Sequence, residues 1–171
     1  ALGVGGIMLY SLYRAAFEQQ RERLEDLAKS EARLIETIAR FNEQYSPDFP
    51  GGAFAATLQE LRDAHLRFRG LGETGQFLLG CRENDQIVYL LQHRFVSDYP
   101  TEFPFDAEYA EPMRRALLGY SGTVVSRGYR GKMTLAAYEP VGVYDLGVVA
   151  KIDVTEIRTP FLRAGLMAAG A

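Results

Sequence analysis

Apolar residues recur every three, four or seven positions through residues 14–41, which is the spacing of an amphipathic helix. The stripe consists of Leu24, Leu27, Leu34, Ile35, Ile38 and Phe41. The next segment, SPDFPGG at 46–52, ends this helix because proline and glycine favour turns. A second stripe of the same period predicts another helix at about 53–69.

From residue 76 onward the pattern changes to short apolar runs and alternation, which predicts strands. The runs are QFLLGC (76–81), QIVYLL (86–91), TVVS (123–126), MTLAAYEPV (133–141) and LGVVAKI (146–152). Residues 92–110 are rich in aromatics and are predicted to be irregular, and Pro112 suits the first turn of a short helix that ends at Gly119. Short links between strands favour antiparallel neighbours. Because the predicted helices lie mostly before these strands, we predict an α+β fold. Its five-stranded antiparallel sheet carries the long N-terminal helix, with the second helix packed on it.

Both ends of the chain are uncharged. Residues 1–13 precede the first charge, and the last eight residues, AGLMAAGA, again carry none. Neither run reaches the ~20 apolar residues that a spanning helix needs. The first residue is alanine, and we expect the sequence to be part of a longer protein. We therefore predict the end of one transmembrane helix at 1–13, a domain at 14–157, and an exit helix with the start of a second transmembrane segment at 158–171. The alternative is a buried helix end and a terminal tail.

Composition argues against several classes of function. The formal net charge of −3 over 171 residues does not point to nucleic acid. Two histidines and one cysteine leave little material for a metal centre or a nucleophile, and the sequence has neither H-E-x-x-H nor G-x-S-x-G. We predict a domain that is not an enzyme, without a metal or other cofactor and without a nucleic-acid partner.

The segment GLGETG at 70–75 matches the pattern G-x-G-x-x-G. In a dinucleotide-binding site this pattern follows a strand and opens a helix, whose N-terminus holds the pyrophosphate. Here a predicted helix precedes the segment and a predicted strand follows it. We interpret the segment as a glycine helix stop followed by a turn.

Three segments resemble the extracytoplasmic PAS-like domains known as Cache or PDC domains. They are GETGQFLLG (72–80), EPMRRALLGYSGTVVS (111–126) and GYRGKMTLAAYEPVGVYDLGVVAKIDVTEIRTPF (128–161). The match covers roughly residues 70–165. Gly128 stands where this family's pattern leads us to expect an aspartate. The resemblance implies a PAS-like sheet and a sensor module of a transmembrane histidine kinase, chemoreceptor or cyclic-di-nucleotide enzyme.

A PAS-like sheet offers one concave face, closed by the segment between its second and third strands. Ligand sites are mostly apolar with a few convergent polar groups, and the aromatic residues of 92–110 would supply the walls. A carboxylate suits a cluster of arginine and lysine near tyrosine, because a guanidinium group grips it with two hydrogen bonds. The predicted ligand-binding residues are His93, Arg94, Tyr99, Arg127, Tyr129, Arg130, Lys132 and Tyr138.

The end of the last predicted strand leads toward the second membrane segment. Asp153 and Glu156 form a D-x-x-E pattern close to a capping box, and Pro160 is expected to kink or restart the helix that follows. We predict that a signal leaves the domain through these three residues.

Two classes of function remain open from the sequence. The first is a periplasmic or other extracytoplasmic sensor, anchored at both ends in the inner membrane, that binds a small molecule such as a carboxylate. The second is a dimerisation or protein-interaction module without a small-molecule ligand. In either case the stripe on the long helix predicts a homodimer.

Overall fold

The computed structural model describes residues 2–65, 71–91 and 100–169. Four helices are present in these residues: α1 (Leu2–Tyr45), α2 (Gly52–His65), α3 (Glu111–Leu117) and α4 (Val154–Ala169). The strands are β1 (Gln76–Glu83), β2 (Gln86–Tyr89), β3 (Glu102–Pro104), β4 (Gly122–Arg127), β5 (Met133–Val141) and β6 (Leu146–Asp153). A short 3-10 turn at Glu108–Ala110 precedes α3. The α+β class is confirmed.

In the described ranges the strands form one sheet in the order β3-β2-β1-β6-β5-β4, and every neighbouring pair is antiparallel. The prediction of five strands was wrong by one. The additional strand β3 comes from the segment that was predicted to be irregular, and it pairs with the outer edge of β2. Its pairing is fixed by Phe103, a buried residue whose ring meets that of Tyr89 at 5.5 Å. A strand of three residues is too short to give a period that sequence reading can detect.

Helix α1 is longer than predicted, since it includes the apolar N-terminal segment and continues to Tyr45. No proline interrupts it before Pro47. The residues of the predicted stripe lie on two different faces of α1, one buried and one exposed. Leu24 and Ile35 are fully buried, whereas Leu34 and Phe41 are about half exposed, at 47% and 55%. The other buried positions on the inner face are mostly small or polar: Ala28, Ala32, Ala39 and Asn42. Because alanines carry little hydrophobic signal, the leucines on the neighbouring face dominated the sequence pattern.

The sheet separates two apolar cores. Helices α1 and α2 cover one face, where Leu79, Leu135 and Val148 are almost completely buried. The other face lies under α3, where Leu78 and Val149 pack against Met113. This division follows from the pleat, because successive side chains of a strand point to opposite faces.

The N-terminal part of α1 and the C-terminal part of α4 lie side by side and antiparallel. The rings of Tyr13 and Phe161 meet edge to face at 5.7 Å. Four residues further out the helices touch at Gly165, where a Cβ atom would lie 3.0 Å from Leu9 Cδ2. Large apolar side chains are exposed on these two helix ends: Val4, Ile7, Met8, Tyr10, Leu12, Leu162, Leu166 and Met167. Among residues 2–65, 71–91 and 100–169, no helix combines the length and the apolar character needed to cross a membrane.

Two neighbouring residues of α1 provide a test of its orientation. Ile35→Ala should lower the free energy of unfolding by about 2–5 kcal/mol, because it leaves a cavity against the sheet. Leu34→Ala should lower it by about 0.5 kcal/mol or less, because that side chain is half exposed. Urea denaturation followed by circular dichroism measures both. Equal losses in the two variants would contradict this orientation of α1.

Candidate functional site

Polar side chains gather at one end of the sheet face that lies under α3. Thr134 of β5 is directly opposite Asp153 of β6, and Lys151 lies between Ala136 on one side and Gln76 on the other. Residues directly opposite in an antiparallel pair project from the same face. Gln76, Thr134 and Asp153 are buried, at 1–4% exposure. One face of the sheet is therefore apolar beneath α3 and polar where β6 ends.

The Asp153 carboxylate is the electrostatic centre of this polar end. Arg130 Nη2 donates hydrogen bonds to both of its oxygens, at 3.0 and 3.2 Å. Lys132 Nζ lies 3.8 Å from Asp153 Oδ2. The aspartate side chain is only 1% exposed, whereas the Arg130 side chain is 32% exposed. The two cations thus reach inward from the turn between β4 and β5 to neutralise a buried charge.

Lys151 adds a third cation to the same place. Its side chain is partly buried along the sheet. Burial lowers the pKa of Lys151 to about 8, and the neighbouring Arg130 contributes in the same direction, while Asp153 partly opposes them. A lysine so placed gives up its proton more readily than a surface lysine, and an additional anion nearby would raise its pKa again.

These groups surround a cavity of about 10 Å³, which is room for about one water molecule. Its described lining residues are Gln76, Gly128, Tyr129, Arg130, Lys132, Thr134, Lys151 and Asp153. The side chains of this lining include three cations and one carboxylate. An excess of positive charge with hydrogen-bonding groups around it is suited to holding an anion rather than to acid–base or nucleophilic chemistry.

Tyr129 connects this cavity to the aromatic segment. Its ring meets Phe103 at 5.4 Å and Tyr109 at 5.5 Å, both edge to face. The turn that carries it is closed by hydrogen bonds from Gly128 N–H to the Lys132 carbonyl and from Gly131 N–H to the Gly128 carbonyl. Tyr129 thus lies where the turn that supplies Arg130 and Lys132 meets β3 and the 3-10 turn.

The structure brings together three of the predicted ligand-binding residues, Tyr129, Arg130 and Lys132. Arg127 is exposed and pairs with Met133, so it projects from the opposite face. Tyr138 is buried under α3, where its hydroxyl accepts a hydrogen bond from Arg115 at 3.2 Å. The remaining predicted residues, His93, Arg94 and Tyr99, lie outside the described residues.

Sequence reading missed Gln76, Thr134 and Lys151, and it assigned Asp153 only to signal exit. The sequence did contain a signal for Lys151 and Asp153. In LGVVAKID, lysine and aspartate interrupt an apolar strand two positions apart, which places both on one face. Polar residues in a central strand require partners, so this spacing could have indicated the site.

The predicted exit residues form a clamp on the turn before β1 rather than a capping box. The Glu156 carboxylate accepts hydrogen bonds from the backbone N–H groups of Glu73 and Thr74, at 2.9 and 2.7 Å, and from the Thr74 hydroxyl. The Asp153 N–H donates to the same Thr74 hydroxyl oxygen at 3.0 Å. Thr74, which is distant in sequence, therefore forms hydrogen bonds with Asp153 and Glu156 at the start of α4.

Two further features of this clamp follow from residue type. Gly72 has a φ of +74°, and a Cβ there would overlap the Glu156 carboxylate, so this turn requires glycine. Pro160 lies inside α4 and leaves the Glu156 carbonyl without its helical donor. Residues 71–75 of the GLGETG segment thus form a turn that contacts the start of α4, which agrees with their interpretation as a turn, whereas Gly70, the predicted helix stop, lies outside the described residues.

Comparison with known proteins gives little further information. No protein-family model matches the chain, and no curated protein matches it. One solved structure with a detectable likeness is the extracellular domain of mmHK1S-Z2, a candidate histidine kinase. The likeness has a TM-score of 0.42 and 21% identity, and it covers 58% of this chain. The matched part spans 38% of that structure's own chain.

The Glu156 clamp predicts an effect of acid on stability. Burial alone would raise the pKa of Glu156, but the hydrogen bonds from Thr74 and Glu73 outweigh it and lower the pKa below the ordinary 4.5. The ionised form therefore stabilises the fold above pH 4.5, and this contribution is lost as the pH falls through the lowered pKa. Glu156→Gln should flatten the acid limb of the stability curve.

Glu156→Ala should lower the free energy of unfolding at pH 7 by about 1.5–3 kcal/mol, since hydrogen bonds to a charged group are lost. Arg158→Ala, at an exposed position of the same helix, is the matched control and should change it little. Denaturation at a series of pH values measures all three variants. Unaltered stability of Glu156→Ala at pH 7 would rule out the clamp.

Proposed function

We propose that this chain is the ligand-sensing domain of a transmembrane signalling receptor and that it binds a small anion, such as a carboxylate, at the polar end of its sheet. The single observation that carries the proposal is the cluster of Arg130, Lys132 and Lys151 around Asp153. Asp153 is the last residue of β6, and α4 begins at the next residue. An anion bound there acts directly on the origin of the outgoing helix.

The arrangement of α1 and α4 supports a membrane-proximal receptor domain. The two helices leave the sheet side by side, in contact at Tyr13 and Phe161, and expose apolar side chains at their far ends. Such a surface suits continuation into two transmembrane segments, with residues 1–13 as the end of the first and residues 158–171 as the exit helix and the start of the second. In this arrangement the domain is extracytoplasmic, periplasmic in a bacterium, and anchored in the inner membrane at both ends.

The strand arrangement is compatible with a PAS-like domain of the Cache or PDC type. Without the short edge strand β3, five antiparallel strands remain in the order β2-β1-β6-β5-β4. The chain itself would have no catalytic activity. The parent receptor would be a histidine kinase, a chemoreceptor or a cyclic-di-nucleotide enzyme, and signal exit would run through Asp153, Glu156 and Pro160.

A second function, homodimerisation through α1, is favoured by one specific observation. Leu34, Phe41 and Tyr45 lie seven and four residues apart, are 47–63% exposed, and therefore line the same outward side of the helix. The rings of Phe41 and Tyr45 are already in contact at 4.7 Å. A second copy of the chain would cover this side, and dimerisation is compatible with sensing.

The ligand proposal is tested by a thermal-shift screen of the 171-residue chain against small carboxylic acids and amino acids, followed by calorimetry with any hit. A ligand that binds only the native state raises the melting temperature. Arg130→Gln should weaken binding by at least about tenfold, since a charge-assisted pair is lost. Arg127→Gln removes an equal charge from the opposite face and should leave the affinity unchanged. Equal weakening by the two substitutions would mean that the anion is not held at this cavity.

The dimer proposal is tested by sedimentation. Leu34→Glu combined with Phe41→Glu should shift the chain to monomer, because two charges would be buried in an apolar contact. Arg33→Glu combined with Arg40→Glu alters the adjoining exposed positions and serves as the control. Persistence of a dimer in the Leu34/Phe41 variant would place the interface elsewhere.

A further inference from the structure

We propose that the Asp153 carboxylate is an internal competitor for the anion site, and that a ligand carboxylate acts by replacing it on Arg130 and Lys132. This inference rests on the proposed function and specifies how the same site is regulated. In the ligand-free state Asp153 closes the site. In the bound state the ligand holds the two cations, and Asp153 is released from the turn between β4 and β5.

The charges favour exchange over loss of the ion pair. Among the described residues that line the cavity, Arg130, Lys132 and Lys151 face a single carboxylate. Removing Asp153 without replacement would leave three cations close together, whereas an incoming carboxylate restores the balance. The lowered pKa of Lys151 agrees with an excess of positive charge at this place, because Arg130 contributes to lowering it.

The available space favours exchange over simple addition. The cavity has room for about one water molecule, and a carboxylate with its attached carbon exceeds that volume. A ligand therefore cannot lie beside Asp153 in this arrangement. The volume that would accept its carboxylate is the volume that the Asp153 side chain occupies.

The geometry of the present ion pair leaves a better one possible. Both contacts from Arg130 to Asp153 come from the same nitrogen, Nη2, at 3.0 and 3.2 Å. The stronger arrangement for a guanidinium group uses two nitrogens, each bonded to a different carboxylate oxygen. Asp153 is held in place at the end of β6, whereas a small ligand is free to rotate into the best orientation. A ligand carboxylate can therefore bind Arg130 more favourably than Asp153 does.

Release of Asp153 would reach α4 directly. Its backbone N–H is bonded to the Thr74 hydroxyl, which in turn is bonded to Glu156 in the first turn of that helix. The same residue thus joins the anion site through its side chain and the exit helix through its backbone. A ligand changes the equilibrium between the two states only by its difference in affinity for them, and the exchange supplies such a difference.

The test measures the affinity of the 171-residue chain for acetate at constant ionic strength. Acetamide serves as the uncharged analogue. Asp153→Asn keeps the shape of the side chain and removes its charge. This variant should bind acetate about tenfold more tightly than the wild type, because acetate no longer has to displace a carboxylate from Arg130 and Lys132. Asp85→Asn removes a carboxylate that is fully exposed and should leave the affinity unchanged. Combining Arg130→Gln with Asp153→Asn should abolish the gain.

Amide resonances of residues 154–157 provide a second measurement that needs no variant. Acetate should shift them in the wild type, and unliganded Asp153→Asn should already resemble the acetate-bound wild type. Wild-type binding without these shifts, or without a gain in Asp153→Asn, overturns the exchange and leaves the anion-binding proposal intact. Absence of acetate binding by both the wild type and Asp153→Asn overturns the exchange and the anion site together.

Discussion

The direct continuation of β6 into α4 is the constraint on which the rest of this structure depends. β6 pairs with β1 and β5 along almost its whole length, so it is held on both edges. Its residues contribute to the apolar cores on both faces, through Val148 on one side and Val149 on the other. No residue separates its last position, Asp153, from the first position of α4. Helix α4 therefore begins where a strand that is held on both edges ends.

Polarity is distributed unevenly along one face of the sheet, and this explains how a core and a charged site coexist. Beneath α3, Met113 of the helix and Tyr138 of β5 belong to one apolar core. At the edge of this core, Arg115 pairs with Glu111 and donates a hydrogen bond to the Tyr138 hydroxyl. At the other end the face carries charged groups, and the buried Asp153 carboxylate is tolerated because it is paired with Arg130 and Lys132. The apolar core and the charged cluster thereby occupy different parts of the same strands.

The sequence predicted α1, α2 and the five longer strands from their patterns of apolar residues, and it predicted α3 and α4 from Pro112 and the D-x-x-E pattern. It could not predict β3, whose three residues carry no period. It also misjudged the inner face of α1, because Ala28, Ala32 and Ala39 are buried by close approach to the sheet rather than by large apolar side chains. Of the predicted ligand-binding residues, Tyr129, Arg130 and Lys132 line one cavity because a single turn carries all three. Gln76 could not be predicted to lie there, because only the pairing of β1 with β6 brings it beside Lys151.

The contact between Tyr13 and Phe161 would act as a fulcrum if the sheet end of α4 moved. Phe161 lies near the middle of the helix, which at ~1.5 Å per residue gives arms of about 10 Å toward Val154 and about 12 Å toward Ala169. A tilt about this fulcrum moves the two ends in opposite directions by nearly equal amounts. Pro160 is next to the fulcrum, where a missing hydrogen bond makes bending easiest and limits how much of the tilt is transmitted. A displacement of the sheet end of α4 would therefore reach the far end reversed in direction, and bending at Pro160 would reduce its size.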